Sequence, residues 1–301
     1  MSASGTREGQ TFGGRSAAVR YANLVKLPHT LFALPFALVG VVLASYVKGV
    51  TLTSILLIAL AFSTARFAAM AFNRIVDRRL DAINPRTAQR ELPAGVIRVR
   101  QARIAVALAS GLFITSAWLL NPLCFALSPL ALLWVLGYSY TKRFTSWSHL
   151  VLGLGLGIAP VGGYLAVTGA WSDPWWMLPV LAVAVMMWVA GFDVLYALQD
   201  VVFDRKTGLH SIPAAVGERR AIAVARALHA VTVIALGVVG VGLGVGWLYW
   251  LGVTVVAALL MFEHSLVRAD DLSRLDAAFF TMNGIISITF FGFVLAERLA
   301  R

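Results

Sequence analysis

The chain has 301 residues, 59% of them hydrophobic and only 13% charged, with a mean hydropathy of +0.82. A soluble domain carries about 25% charged residues, so this composition excludes an ordinary soluble protein and points to a lipid bilayer. The formal charge of +11 would suit a nucleic acid, but its distribution, given below, argues for topology and no nucleic-acid partner, and the lone Cys124 excludes a disulfide framework or cysteine metal cluster.

Residues 1–20 are polar and rich in Gly and Ser, and are predicted to be a disordered tail ahead of a single domain over 21–301. No cleavable signal is expected, because the first apolar segment is long enough to span and lacks a cleavage-site context. A bilayer core needs about 20 apolar residues as a helix, and charges delimit the segments that qualify. Residues 27–47 are predicted to form span one, and 52–72 span two, interrupted by Arg66. The uncharged run 104–141 would be about 57 Å long as one helix, so it is predicted to fold back at Asn121-Pro122 into spans three and four. Spans five and six are placed at 144–172 and 174–198. The run 227–262 is divided within the Gly-rich VGLGVGW segment into spans seven and eight, and 277–296 forms span nine. The expected fold is therefore all-α: a polytopic membrane protein with nine transmembrane helices.

With the N-terminus inside, the tail, the loops after spans two, four, six and eight and the flanking helix ends hold 21 of the 25 Lys and Arg residues. That bias is the positive-inside pattern, and it accounts for most of the net charge. WSDPWW at 171–176 reads as an aromatic belt on the outer side.

The chemistry concentrates at the cytoplasmic helix ends. FNRIVDRRLD places Asn73, Asp77 and Asp81 four residues apart. Four residues advance a helix by about 400°, so the three oxygen-bearing side chains form a slowly winding stripe about 12 Å long. A charged helix end with i, i+4 pairing is the structural alternative, yet two carboxylates at that spacing repel. The segment 191–213 repeats the pattern with Asp193, Tyr196, Asp200 and Asp204 at the end of another predicted span. Two facing carboxylate stripes make an oxygen-rich site suited to Mg²⁺ with water and substrate phosphates. No His or Cys accompanies them, which argues against zinc, and no Gly-rich phosphate loop points to a nucleotide. The His residues show no ligand spacing and read as structural or interfacial, and Glu263 and His264 as solvated loop flanks. Arg86 and Arg90 in NPRTAQRELPAG, and Lys142 and Arg143 in YSYTKRF, supply cations near the acids. Singly, each fits a headgroup-facing charge; together they suit a diphosphate. Arg66, about 10 Å along the helix from Asn73, reads either as a structural partner of a carbonyl or of Asp193, or as the holder of an anionic group within the membrane.

N-x-x-x-D-x-x-x-D at 73–81 followed by NPRTAQRELPAG, D-x-x-Y-A-x-x-D-x-x-x-D at 193–204, Arg66 and the YSYTKR segment together resemble the UbiA-type intramembrane prenyltransferases. The resemblance runs from about residue 22 to 298 and implies nine helices around a central cavity capped by the two Asp motifs. It implies transfer of a polyprenyl chain from its diphosphate to an aromatic acceptor, with Mg²⁺, at the inner membrane. Bacterial quinone-pathway members resembling 4-hydroxybenzoate polyprenyltransferase are the nearest in motif, including a subset acting on a dihydroxynaphthoate in the futalosine route to menaquinone. Many members carry N-D at the start of the first motif where this chain has Asn73-Arg74, so one acidic ligand is lost there. The expected roles are metal binding by Asn73, Asp77, Asp81, Asp200 and Asp204, and diphosphate binding by Arg86, Arg90, Lys142 and Arg143. Arg66 is expected to hold the acceptor carboxylate, Tyr196 to shield the allylic cation, and Asp193 to take the ring proton. A transporter or channel for cations or phosphorylated lipids is the rival reading, since such proteins also bury carboxylates and Arg. Their sites usually lie near the midplane on broken helices, whereas these Asp stripes lie at one face.

Overall fold

The computed structural model describes residues 12–14, 16–269, 271–272, 275 and 281–301, with only the backbone of 27–32. Twelve α-helices and two 3₁₀ segments, with no strand, make up the described residues. The predicted tail lies partly outside them. Within it, Ala17 to Arg20 are helical, opening α1 (Ala17–Leu24) behind the Ser16 N-cap. Asn23 is buried and exchanges two hydrogen bonds with the backbone of Phe12.

The apolar runs become helices where their caps and charges direct. α2 spans Leu27–Ala44. α3 starts behind a Thr51–Ser54 capping box and continues from Leu52 to Ile83, well past the predicted end at 72, because no breaker precedes Asn84-Pro85. α4 (Val99–Leu120) ends at the predicted turn, where the Asn121 side chain accepts from Cys124 N–H and Pro122 opens α5 (Pro122–Gly137). A 3₁₀ segment, Tyr138–Arg143, leads to α6 (Ser148–Thr168), and α7 covers Met177–Tyr196. The second 3₁₀ segment (Ala197–Asp200), α8 (Val201–Thr207) and α9 (Ile212–Val216) form the connection to α10 (Glu218–Leu243). Gly244, in the left-handed conformation at φ 56°, ends α10 inside the predicted Gly-rich turn, and α11 (Trp247–Leu266) follows. The start of predicted span nine lies outside the described residues, and α12 covers Asn283–Leu299.

Seven helices of the described residues are long and apolar enough to cross a membrane; α2, with 18 residues, and α12, with 17, occupy the first and last predicted spans. Exposed Leu56, Leu108, Leu133 and Met261 on these helices suit a lipid surround. α6 packs on α2 and α7, α7 on α10, and α3 on α4. Glycines allow the backbones to meet, as small residues do in membrane helices: a Cβ at Gly153 would run into the Met186 carbonyl, and one at Gly163 into the Ala37 carbonyl. One buried apolar cluster joins α2, α6, α7, α10, α11 and α12, and another joins α1, α3 and α4. Glu263, expected as a solvated loop flank, is instead buried at 1% exposure, because α11 carries it inside the bundle.

Candidate active site

The long α3 carries Asn73, Asp77 and Asp81 on one continuous helix, as the spacing predicts. Asn73 Nδ2 donates to Asp77 Oδ2 at 2.9 Å, so the first two members of the stripe are in contact. The second motif departs from a helical stripe. α7 ends at Tyr196, Asp200 closes a 3₁₀ turn, and Asp204 lies on the short α8. The i, i+4 spacing of Asp200 and Asp204 is thus not one helix face. The chain tightens there into i, i+3 bonding, and the two acids meet different partners.

A cavity of ≈ 270 Å³ is lined by Asn73, Asp77 and Asp81 from one side and Asp193, Tyr196, Asp200 and Asp204 from the other. Arg66, Arg86, Arg90 and Lys142 line it too, so nearly all the predicted site residues come together. Arg143 reaches the same acids from the 3₁₀ segment after α5.

Three arginines hold three of the carboxylates. The Arg86 fork donates to both oxygens of Asp200, Nη2 to Oδ2 at 2.6 Å and Nε to Oδ1 at 3.0 Å, and its Nη1 donates to Tyr196 OH at 3.1 Å. Asn84, which caps α3, adds Nδ2 to Asp200 Oδ1 at 3.2 Å and turns the chain by accepting from Arg86 N–H. Arg90 Nη1 donates to Asp81 Oδ1 at 2.7 Å, and Arg143 Nη2 to Asp77 Oδ1 at 2.9 Å. Charge-assisted, partly bidentate bonds of this kind fix orientation as well as charge. Lys142 has no ion pair among the described residues, yet its charge acts on both Asp77 and Asp200. Asp204 is 1% exposed and accepts from Ser211 Oγ at 2.8 Å, which sets it apart from the other acids.

Among the described residues, no three His, Cys, Asp or Glu side chains converge as a ready metal cluster. Mg²⁺ does not require one, because it is commonly held by one or two carboxylates, water and substrate phosphates. The all-oxygen donors fit it, and Asp81 Oδ2 is buried without a hydrogen-bond partner.

Arg66 forms no ion pair among the described residues, and its Nε is buried without a partner; neither expected structural alternative, a bond to a carbonyl or to Asp193, is present among the described residues. Arg66 and Tyr138 line both the polar cavity and an adjoining apolar one of ≈ 220 Å³ between α3, α4, α5 and α6. Arg74, the departure in the first motif, is among the residues lining the polar cavity. It is 7% exposed and directs Nε at the Leu24 carbonyl at 3.5 Å.

Asp193 pairs with a residue that the sequence reading set aside. His149, on α6 and fully buried, places Nδ1 2.7 Å from Asp193 Oδ2. Its only sequence signal was a polar residue at the cytoplasmic start of a predicted span. Lys26 was also missed: the turn before α2 places it in the left-handed region at φ 46°, with Nζ 5.8 Å from the Tyr196 ring centre and the side chain lining the cavity. No local pattern announces a lysine in that conformation.

The profile of the UbiA prenyltransferase family matches residues 33–285. The chain is 31% identical over 283 residues to a protein of Klebsiella pneumoniae named 4-hydroxybenzoate octaprenyltransferase, covering 91% of both chains. A protein of Aromatoleum aromaticum with the same name is 31% identical over 244 residues, 80% of this chain and 81% of that one. Among solved structures, the apo structure of a UbiA homolog from Aeropyrum pernix K1 superposes with a TM-score of 0.81 at 34% identity, covering 89% of this chain and 98% of that one. A UbiA homolog from Archaeoglobus fulgidus, solved bound to GPP and Mg²⁺, shares the fold with a TM-score of 0.70 at 22% identity, covering 93% and 99%. Matched along most of its length in sequence and in fold, the chain belongs to the UbiA prenyltransferase family.

Proposed function

We propose that the protein moves a polyprenyl chain from polyprenyl diphosphate to an aromatic acid, 4-hydroxybenzoate or a dihydroxynaphthoate, in quinone biosynthesis. The observation that carries this reading is the joining of one polar cavity, rich in Asp and Arg, to an apolar cavity through Arg66. A diphosphate suits the first, an apolar chain the second. In this reading the domain is a single unit over 21–301, with nine spans around a central cavity. The N-terminus lies in the cytoplasm and the site at the cytoplasmic face of the inner membrane, as the basic residues favour. The names of the curated relatives support 4-hydroxybenzoate as the first acceptor to test.

Asn73, Asp77, Asp81, Asp200 and Asp204 would hold Mg²⁺, which when bound neutralises negative charge on the leaving diphosphate. Arg86, Arg90, Lys142 and Arg143 surround the same space and bind diphosphate oxygens as the C–O bond breaks. Ion pairs with Asp200, Asp81 and Asp77 hold the three guanidinium groups beside that space. Tyr196, held by Arg86, presents its ring to the allylic cation, and the apolar walls exclude the water that would quench it. Asp193 takes the proton released by the ring. Arg66 holds the acceptor carboxylate.

Incubation of the purified protein with a labelled polyprenyl diphosphate and each acceptor, with mass spectrometry of the lipid products, tests the reaction; no prenylated acid in any combination overturns it. The Arg66 assignment has its own readout. Arg66→Ala is expected to raise KM for the aromatic acid by about 10- to 100-fold, the worth of hydrogen bonds to a charged group. KM for the diphosphate stays the same. An unchanged acceptor KM removes Arg66 from that role.

A further inference from the structure

His149 lines the cavity and is fully buried between two bonds of opposite sense. Ile212 N–H, at the start of α9, donates to Nε2 at 3.3 Å. An N–H can donate only to an unprotonated ring nitrogen, so the single proton of the neutral ring sits on Nδ1. That Nδ1–H points at Asp193 Oδ2, 2.7 Å away. Asp193 Oδ1 accepts no hydrogen bond from the described residues, and the Asp193 side chain is 24% exposed.

We propose that His149 is a positioning residue for the proton-transfer step: its Nδ1–H occupies Asp193 Oδ2 and leaves Oδ1 as the oxygen that takes the ring proton. The inference rests on the prenyl-transfer reading above. In the step, the C–O bond to diphosphate breaks with its electron pair leaving on the diphosphate, and a ring carbon bonds to the prenyl carbon. The ring C–H bond then breaks, its pair restoring the aromatic ring, and the proton passes to Asp193 Oδ1. His149 does not relay that proton, because the far nitrogen is occupied by Ile212 N–H. The proton leaves from Asp193 into the cavity. The arrangement follows the physical logic by which a hydrogen bond at one atom fixes the tautomer and aim of a neighbour.

Two substitutions separate the two bonds. In His149→Asn the amide NH₂ stands near the Nδ1 position and keeps a donor for Asp193. In His149→Gln the amide oxygen stands near the Nε2 position, keeping an acceptor for Ile212 and losing the donor. The full-length enzyme is assayed with polyprenyl diphosphate and 4-hydroxybenzoate, unlabelled or deuterated at the ring positions beside the hydroxyl. His149→Gln is expected to lower kcat by about 10²-fold, the low end of what a positioned base contributes, with acceptor KM unchanged. A ring-deuterium isotope effect, absent in the unaltered enzyme, appears as C–H cleavage becomes limiting. His149→Asn stays within about tenfold of the unaltered kcat, without the isotope effect. The reverse order, with Gln active and Asn impaired, shows a tie to α9 only and overturns the proposal, as does a loss without an isotope effect. Should His149→Gln fail to fold, Asp193→Asn carries the same isotope test, and full activity of that variant overturns the proposal alone. If the unaltered enzyme prenylates no acid, the prenyl-transfer reading falls and this proposal with it.

Discussion

Asp200→Asn is expected to lower prenyl transfer by about 10³-fold or more, the loss that follows when a principal charge-stabilising group is removed. The exchange keeps side-chain size but replaces a charged acceptor with an amide, one end of which is a donor. The Arg86 fork then faces an NH₂ group on one side and loses its bidentate partner. Because Arg86 also holds Tyr196, the change loosens both groups around the reacting space at once. Asp77→Asn is expected to fall as far, since Asp77 is the acid that both Asn73 and Arg143 address. Chelation with EDTA is expected to stop the unaltered enzyme, and added Mg²⁺ to restore it. Thermal melting separates chemistry from folding: activity is read at a temperature where both variants remain folded. Activity within about tenfold of the unaltered enzyme in either variant, or indifference to chelation, overturns the metal assignment for these acids.

Gly163→Ala is expected to be clearly less stable than Gly162→Ala although the two are adjacent on α6. Both gain the same helix propensity, about 1 kcal/mol over glycine. A Cβ at Gly162 meets nothing within 4 Å, whereas one at Gly163 runs into the Ala37 carbonyl of α2. That carbonyl belongs to a helical backbone and cannot swing aside like the end of a side chain. The two helices must part, and overpacking of this kind costs about 1–3 kcal/mol. Gly163→Ala is therefore expected to melt about 2–10 °C below Gly162→Ala in detergent. Equal melting temperatures overturn the backbone-to-backbone contact between α2 and α6.

The helices were legible because lipid makes a simple demand. A crossing segment must be apolar and satisfy its own backbone hydrogen bonds, so uncharged runs, the Asn121-Pro122 turn and the VGLGVGW turn mark the elements directly. The Asn73–Asp77–Asp81 stripe was legible for the same reason: along one helix, sequence spacing is geometry. The second motif was only half legible. Its residue types identified the acids, but the helix tightens after Tyr196, so Asp200 turns to Arg86 and Asn84 while Asp204 turns to Ser211.

Sequence alone determined the membrane class, the helix boundaries set by Pro and Gly, and the residue types that gather around a diphosphate. These are local or compositional properties, each decided within a few residues. Tertiary structure decided the pairings between distant segments: Arg86 with Asp200, Arg143 with Asp77, Arg74 with the Leu24 carbonyl, and His149 with Asp193. No spacing rule reaches across 44 residues from His149 to Asp193. That contact exists because Gly153 and Gly157 bring α6 against α7 closely enough for one buried imidazole to bridge them.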